Sequence, residues 1–252
     1  MTNITKKIKE FLGKKELYGQ NIISYSEEET LYLIKYLKKD NPRLESISIY
    51  DQSIKDEVII NFVEALKENV RVERVNLSHI KVSKKGMMDL IEGFKGNTTV
   101  KTLHLYILDN ILDDEGGIAI AEVLRSKSIL EELDLSTNDI GSKGAVAVAE
   151  ALKRNRSLEY LHLRKNLIGS DGAIAIAEAL RINKKLKWLD LAFNELGDEG
   201  AIALMEAFEE SESLLYVNVR NGGIGGGDID DKTLDRIYTI NQTKQVNEEA
   251  EE

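Results

Sequence analysis

The chain contains no cysteine and one proline in 252 residues. Without Cys there can be no disulfide, no thiolate metal site and no cysteine nucleophile. Long apolar runs are missing too. No stretch reaches the ~18 consecutive apolar residues of a membrane span. The opening segment MTNITKKIKEFLGKKELY lacks the apolar run and small-residue cleavage site of a secretory signal peptide. A cytoplasmic location is therefore expected, or delivery into a host cell if the source is a bacterial pathogen. Positive charge is in deficit, with 34 Lys and Arg against 44 Asp and Glu and a net charge of -10. That balance excludes bulk attraction to nucleic acid or to an anionic membrane, a local basic patch aside. A hydrophobic fraction of 42% argues against wholesale disorder.

What is present is a repeat. Leu130 to Ser157, Leu158 to Lys185 and Leu186 to Ser213 align without gaps at a period of 28 residues. Weaker copies open at Leu44, Val72 and Val100, and an incomplete one opens at Leu214. The copy from Val100 carries two extra residues between Leu105 and Asn110. The first half of each copy reads L-x-x-L-x-L, and Leu161-x-Leu163 has the alternation of a short strand. The second half places Ala173, Ile176, Ala177 and Leu180 on one helical stripe. Ser142, Ser170, Asp198 and Asp114 fall just before the helices, where N-caps are expected. Gly86, Gly116, Gly144, Gly172 and Gly200 recur at the helix start, where a missing side chain would let helix and strand pack closely. Asn69, Asn97, Asn155 and Asn183 recur at the helix end, where a left-handed residue often terminates a helix. No such unit buries its apolar face alone, so neighbours must stack. One proline and no covalent staple suit a regular array.

Geometry sets the shape. Parallel strands lie ~4.8 Å apart, and packed helices need ~8–10 Å. Strands therefore take the inner arc and helices the outer one. Asn110, Asn138, Asn166 and Asn194 form a column where each strand turns away, and their side chains are expected to bond the backbone of adjacent turns.

The pattern L-x-x-L-x-L-x-x-N-x-I-G-x-x-G-A-x-x-I-A-E-A-L, complete from Leu158 to Leu180, resembles the leucine-rich repeats of the ribonuclease-inhibitor type. The resemblance spans roughly residues 44 to 225, and similar repeats occur in NOD-like receptors, tropomodulin and the Ran GTPase-activating protein. It implies an α/β horseshoe with a parallel sheet on the concave face, parallel helices on the convex face and a curved protein-binding surface. Regulation of a small GTPase and actin-filament capping are what two of those relatives imply as alternatives.

The expected organisation is a helical N-terminal cap over 1–43, repeats over 44–230, a closing helix over 231–247 and an acidic, disordered tail over 248–252. In the first cap, Ile4, Ile8, Phe11 and Leu12 form one helical stripe. Ser26 opens a second helix carrying Leu31, Ile34 and Leu37. Residues 1 to 15 hold five Lys and one Glu, which also fits a basic amphipathic anchor, but a helix sealing the first repeat is the reading adopted. Leu234, Ile237 and Ile240 mark the closing helix.

Side chains between the framework leucines are free of core duty. One row reads Ser46, Arg74, Thr102, Glu132, Tyr160, Trp188, Tyr216. The next reads Ser48, Asn76, His104, Asp134, His162, Asp190, Asn218. A third reads Tyr50, Ser78, Tyr106, Ser136, Arg164, Ala192, Arg220. The only Trp of the chain stands between two Tyr, with Phe193, Arg164 and Arg220 beside it. Trp, Tyr and Arg are the types enriched at binding hot spots, so Tyr160, Trp188 and Tyr216 are the expected anchors of a protein partner. A self-packed aromatic ladder is the competing account. His104, Asp134, His162 and Asp190 are expected to share charge-assisted hydrogen bonds along their row and to make binding pH-sensitive. A shared metal ion would have to span two strands across Asp134, and Ser136 beside His162 and Asp134 lacks an oxyanion hole. Gly222 to Gly227 fits neither the dinucleotide fingerprint nor the calcium nonapeptide and reads as a degenerate last repeat. The insertion enlarges the loop of Tyr106, Ile107, Leu108 and Asp109, on the rim. Five N-x-S/T sequons, Asn241 among them, are read as coincidence. The expectation is a monomeric, non-enzymatic module that binds a protein, with no cofactor, nucleic acid or membrane.

Overall fold

The alternation at the head of each repeat folds as a strand and the 3.6-residue stripe as a helix. The computed structural model describes residues 20–24, 26–38, 44–50, 53–95, 97–107, 112–126, 129–220 and 229–251. The strands are β1 (Gln20–Ser24), β2 (Leu44–Tyr50), β3 (Arg74–Ser78), β4 (Thr102–Tyr106), β5 (Glu132–Asp134), β6 (Tyr160–His162), β7 (Trp188–Asp190) and β8 (Tyr216–Asn218). The helices are α1 (Glu27–Leu37), α2 (Asp56–Glu68), α3 (Lys84–Phe94), α4 (Asp113–Arg125), α5 (Ser142–Leu152), α6 (Gly169–Ile182), α7 (Gly197–Glu210) and α8 (Asp231–Glu251). All eight strands pair in parallel and in chain order into one open sheet. The core lies between sheet and helices. Leu133, Leu161, Leu189 and Val217 enter it from the strands. Ala173, Ile176, Ala177 and Leu180 enter it from α6, and their counterparts from the other helices.

Asparagine ties the repeats together twice. At the strand turn, Asn166 Nδ2 donates to Leu135 O of the preceding repeat at 3.0 Å, while its Oδ1 accepts from Asn138 N and Ile140 N at 3.1 and 2.9 Å. Asn194 repeats the arrangement toward Leu163 O, Asn166 N and Ile168 N. This is the inter-turn bonding that the column implies. Asn110 lies outside the described residues.

The second ladder corrects the sequence reading. Asn69 and Asn183 end their helices in extended conformation, with φ of -86° and -72°, not in the left-handed region. Asn183 Nδ2 donates to Leu152 O of the preceding repeat at 2.7 Å, and its Oδ1 accepts from Lys185 N and Leu186 N at 2.7 and 2.8 Å. Asn155 and Asn97 do the same one and three repeats earlier. The Asn is selected for a side chain that reaches across repeats, not for its backbone.

Helix starts are corrected in the same sense. The caps of α4 to α7 are Leu112, Gly141, Ile168 and Leu196, none with a side-chain cap bond. Asp114 instead accepts from Gly144 N of the next repeat at 2.7 Å, Ser142 Oγ donates to Ile168 O at 2.7 Å, and Asp198 accepts from Asp230 N at 2.8 Å. Ser170 Oγ has no partner. Gly172 and Gly200 make room for the neighbouring helix, not for the strand. A Cβ on Gly200 would stand 2.8 Å from Ala173 Cβ, and one on Gly172 would stand 2.9 Å from Ala145 Cβ.

At the N-terminal end, β1 adds a strand within the segment read as a helical cap and pairs with β2. Its Ile22-Ile23 pair lacks the L-x-x-L-x-L signature, which hid it. Helix α1 starts as expected, with Ser26 Oγ accepting from Glu29 N at 3.2 Å. Leu33, Ile34 and Leu37 are its buried apolar positions, while Leu31 is 41% exposed. The stripe of Ile4, Ile8, Phe11 and Leu12 lies outside the described residues, as does 222–227. At the other end α8 continues past residue 247 to Glu251, so helix extends into the segment read as a disordered tail. Ile237 is buried, and Leu234 and Ile240 pack on the core.

Candidate functional site

The strand register places the first two rows as their spacing implies. Ser46, Arg74, Thr102, Glu132, Tyr160, Trp188 and Tyr216 pair in succession across the sheet, as do Ser48 through Asn218. Strands β5 to β8 are three residues long. The third row therefore lies on β2 to β4 at first and thereafter just beyond the strand ends, held by Thr137 N to Arg164 O, Lys165 N to Ala192 O and Phe193 N to Arg220 O.

Three constellations form on this face. At its C-terminal end Trp188 and Tyr216 stack, with ring centroids 3.8 Å apart and planes 19° off parallel. Tyr160, one strand earlier, is 39% exposed and makes no ring contact with another described residue. The aromatic row is thus a stacked pair and an outward Tyr, not a continuous ladder.

Beside the pair, the Arg164 guanidinium lies 4.2 Å above the Phe193 ring. Phe193 holds φ of 61°, as Thr137 and Lys165 hold 61° and 56° at the same repeat position. A bulky residue rarely adopts this left-handed region. A cleft of about 990 Å³ opens next to it, where α8 crosses the end of the sheet. Arg164, Phe193, Tyr216 and Arg220 line one wall, and Asp231, Asp235, Tyr238 and Gln242 of α8 line the other.

The third constellation differs from the expected His-Asp row. His104 Nε2 donates to Glu132 Oε1 at 2.9 Å, and His162 Nε2 stands 4.0 Å from the same oxygen. Asp134 and Asp190 instead accept from the backbone N–H of Ser136 and Ala192 at 2.8 and 2.9 Å. Their carboxylates close the turn after the strand. Burial pulls the His104 pKa down. The Glu132 hydrogen bond, with the charges of Glu132 and Asp134, outweighs it and holds the ring above its ordinary value. Glu132 is held below the usual carboxylate range by that hydrogen bond, against its own burial, and by the charges of both histidines. Ser136 is joined to Asp134 through its backbone, and its hydroxyl plays no part in that contact. Among the described residues no three His, Asp or Glu side chains are grouped to hold a metal ion.

Tyr106 stands apart from these, its ring 4.7 Å from that of His79. Ile107 is buried, and Leu108 and Asp109 lie outside the described residues. Reading the rows separately missed Glu132, because its partner sits in the next row. Tyr238 was missed because nothing in the closing helix says which side faces the sheet end.

Residues 127–149, 154–177 and 183–205 match the Leucine Rich repeat family. Among solved structures the chain is similar to leiomodin-1 actin-binding site 2, at 19% identity and a TM-score of 0.50, over 66% of this chain and 92% of that one. It is also similar to the tropomodulin C-terminal domain of Caenorhabditis elegans, at 14% identity and a TM-score of 0.44, over 88% and 97% of the two chains. Curated protein sequences give no significant match. At its identity the leiomodin-1 structure speaks for the fold alone. With one parallel strand and one helix per period, Asn ladders between turns and three matched repeats, the chain folds as an α/β leucine-rich repeat solenoid, consistent with the ribonuclease-inhibitor type.

Proposed function

We propose that the protein is a non-enzymatic interaction module that binds its partner on the concave strand face. The observation that carries this reading is the Trp188–Tyr216 pair, stacked at 3.8 Å on a surface with no core to serve. A rigid aromatic pair is a large apolar contact with few rotors to freeze on binding. Tyr160 extends it, Arg164 and Arg220 border it, and His162, Glu132 and His104 form a polar neighbourhood one to three strands before Trp188. The supporting point from fold is that repeat solenoids expose one long surface whose side chains vary without cost to the core. The test is binding by a partner captured with the wild-type chain. Trp188→Ala together with Tyr160→Ala is expected to weaken it at least about a hundredfold. Unchanged affinity removes the assignment.

A second reading is actin binding. It rests on the likeness to leiomodin-1 actin-binding site 2, which is an analogy of fold. Cosedimentation with actin filaments, with a monomer-binding assay beside it, decides it. Absence of binding in both removes the reading.

A further inference from the structure

The cleft at the C-terminal end of the sheet has walls of opposite charge. In a chain of net charge -10, Arg125 pairs with Glu122, Arg181 with Glu206 and Glu210, and Arg236 with Glu209, while Arg71, Arg154 and Arg156, in the segments after α2 and α5, make no ion pair with a described residue. Arg164 and Arg220 are set apart by their place, on the strand face opposite two carboxylates. Both line the cleft, and neither makes an ion pair with another described residue. Phe193 supports Arg164 from below at 4.2 Å. Stacking occupies the face of a guanidinium and leaves its N–H edge for a bidentate acceptor. Ala192 separates the two arginines in their row and is fully buried, so it puts no side chain between them. Two strand spacings put their backbones ~10 Å apart, a span that two long side chains can close on one carboxylate. Across the cleft, α8 presents Asp231 and Asp235. Tyr216, stacked on Trp188, supplies apolar surface between the walls.

We infer that the cleft receives a segment of a partner protein that carries an Asp or Glu next to an apolar side chain. The carboxylate sits between Arg164 and Arg220, and the apolar group lies against Tyr216. This rests on the reading of the strand face as the partner surface and specifies the chemistry recognised there. The helix wall orients the segment. Asp231 and Asp235 repel an acidic residue placed on their side and favour a basic one, so the polarity of the bound segment is fixed by charge.

The probe is a random dodecapeptide display library, panned on the immobilised full chain. Enriched sequences are then synthesised with a terminal fluorophore, and their affinity is read from its anisotropy, a signal that does not depend on Trp188. Enriched peptides are expected to share an acidic residue beside an aromatic or aliphatic one. Arg164→Ala and Arg220→Ala should each weaken them at least about tenfold, with Arg164→Lys recovering part of the loss. A peptide with Gln for its acidic residue should bind the wild type about as weakly as the parent binds Arg164→Ala, and should lose little more on that variant. The Gln peptide leaves the protein untouched, so its result does not depend on how a variant folds. No enrichment, enrichment without acidic residues, or affinity indifferent to both arginines overturns the inference. If affinity is indifferent to the arginines but lost on Trp188→Ala, the strand-face reading stands and the carboxylate site falls. If it is indifferent to all three, both fall.

Discussion

Asn241 closes the open edge of the sheet by pairing with Val217. Its Nδ2 donates to Val217 O at 2.8 Å and its Oδ1 accepts from Val217 N at 2.9 Å, so one side-chain amide takes the place of a further strand. Edge strands otherwise leave such groups to water or to another chain. Asn241 is buried. Asn241→Ala strands two buried backbone groups and should cost about 2–4 kcal/mol in urea unfolding. A loss below about 0.5 kcal/mol would show that the edge does not need this closure.

The ladder at the strand turns carries a similar load. Asn166 bonds the carbonyls of Leu135 and Leu163 and the amides of Asn138 and Ile140. Asn166→Ala should destabilise by about 3 kcal/mol or more, since several buried groups lose a partner at once. Asn166→Asp keeps the acceptor but loses the donor and buries a charge, so it should fall no less. Denaturant midpoints of the two variants compare them directly.

Helix spacing is set by glycine. Gly200→Ala places a methyl 2.8 Å from Ala173 Cβ and 3.2 Å from Ser170 Cα. Overpacking of this kind costs about 1–3 kcal/mol, against at most about 1 kcal/mol gained from helix propensity. A thermal melt that shows Gly200→Ala as stable as wild type would mean that α6 and α7 slide apart freely.

The His104–Glu132 pair makes part of the stability pH-dependent. His104 is raised from its ordinary 6.5, so its contribution is complete below that value and is lost as pH climbs through the raised one. Glu132 is lowered from 4.5, so its contribution is complete above that value and is lost as pH falls through the lowered one. The pair is strongest in the window between, about pH 5 to 6.5. In Glu132→Gln, His104 should titrate below its wild-type position by NMR. The stability gap to wild type should peak in that window and narrow toward alkaline pH. A His104 titration unmoved by the substitution would refute the pairing.

Repetition made the core legible before any coordinates. A 28-residue period assigns Leu161 and Leu189 to equivalent strand positions and fixes the neighbours of every outward side chain, which is why the first two rows emerged intact. Contacts made between repeats were harder to read. Asp114, placed just before a helix, reads as that helix's own cap, yet the next repeat's Gly144 N–H is its partner. Asn183 at a helix end reads as a backbone device, yet it acts through its side chain. The site failed at the same point. A row of His and Asp suggests partners within the row, while each Asp is drawn into its own turn and Glu132 reaches His104 from the row beside it. Asn241 had a signal that went unused. It continues the stripe of Leu234 and Ile237, where a polar residue needs a partner.

The central claim is that partner binding runs through the stacked end of the strand face. Parallel affinity capture from one extract, with the wild-type chain and with Trp188→Ala, tests it most directly. The account expects a protein retained by the wild type and lost from the variant, with both chains equally folded by circular dichroism. The same protein recovered equally on both would contradict it.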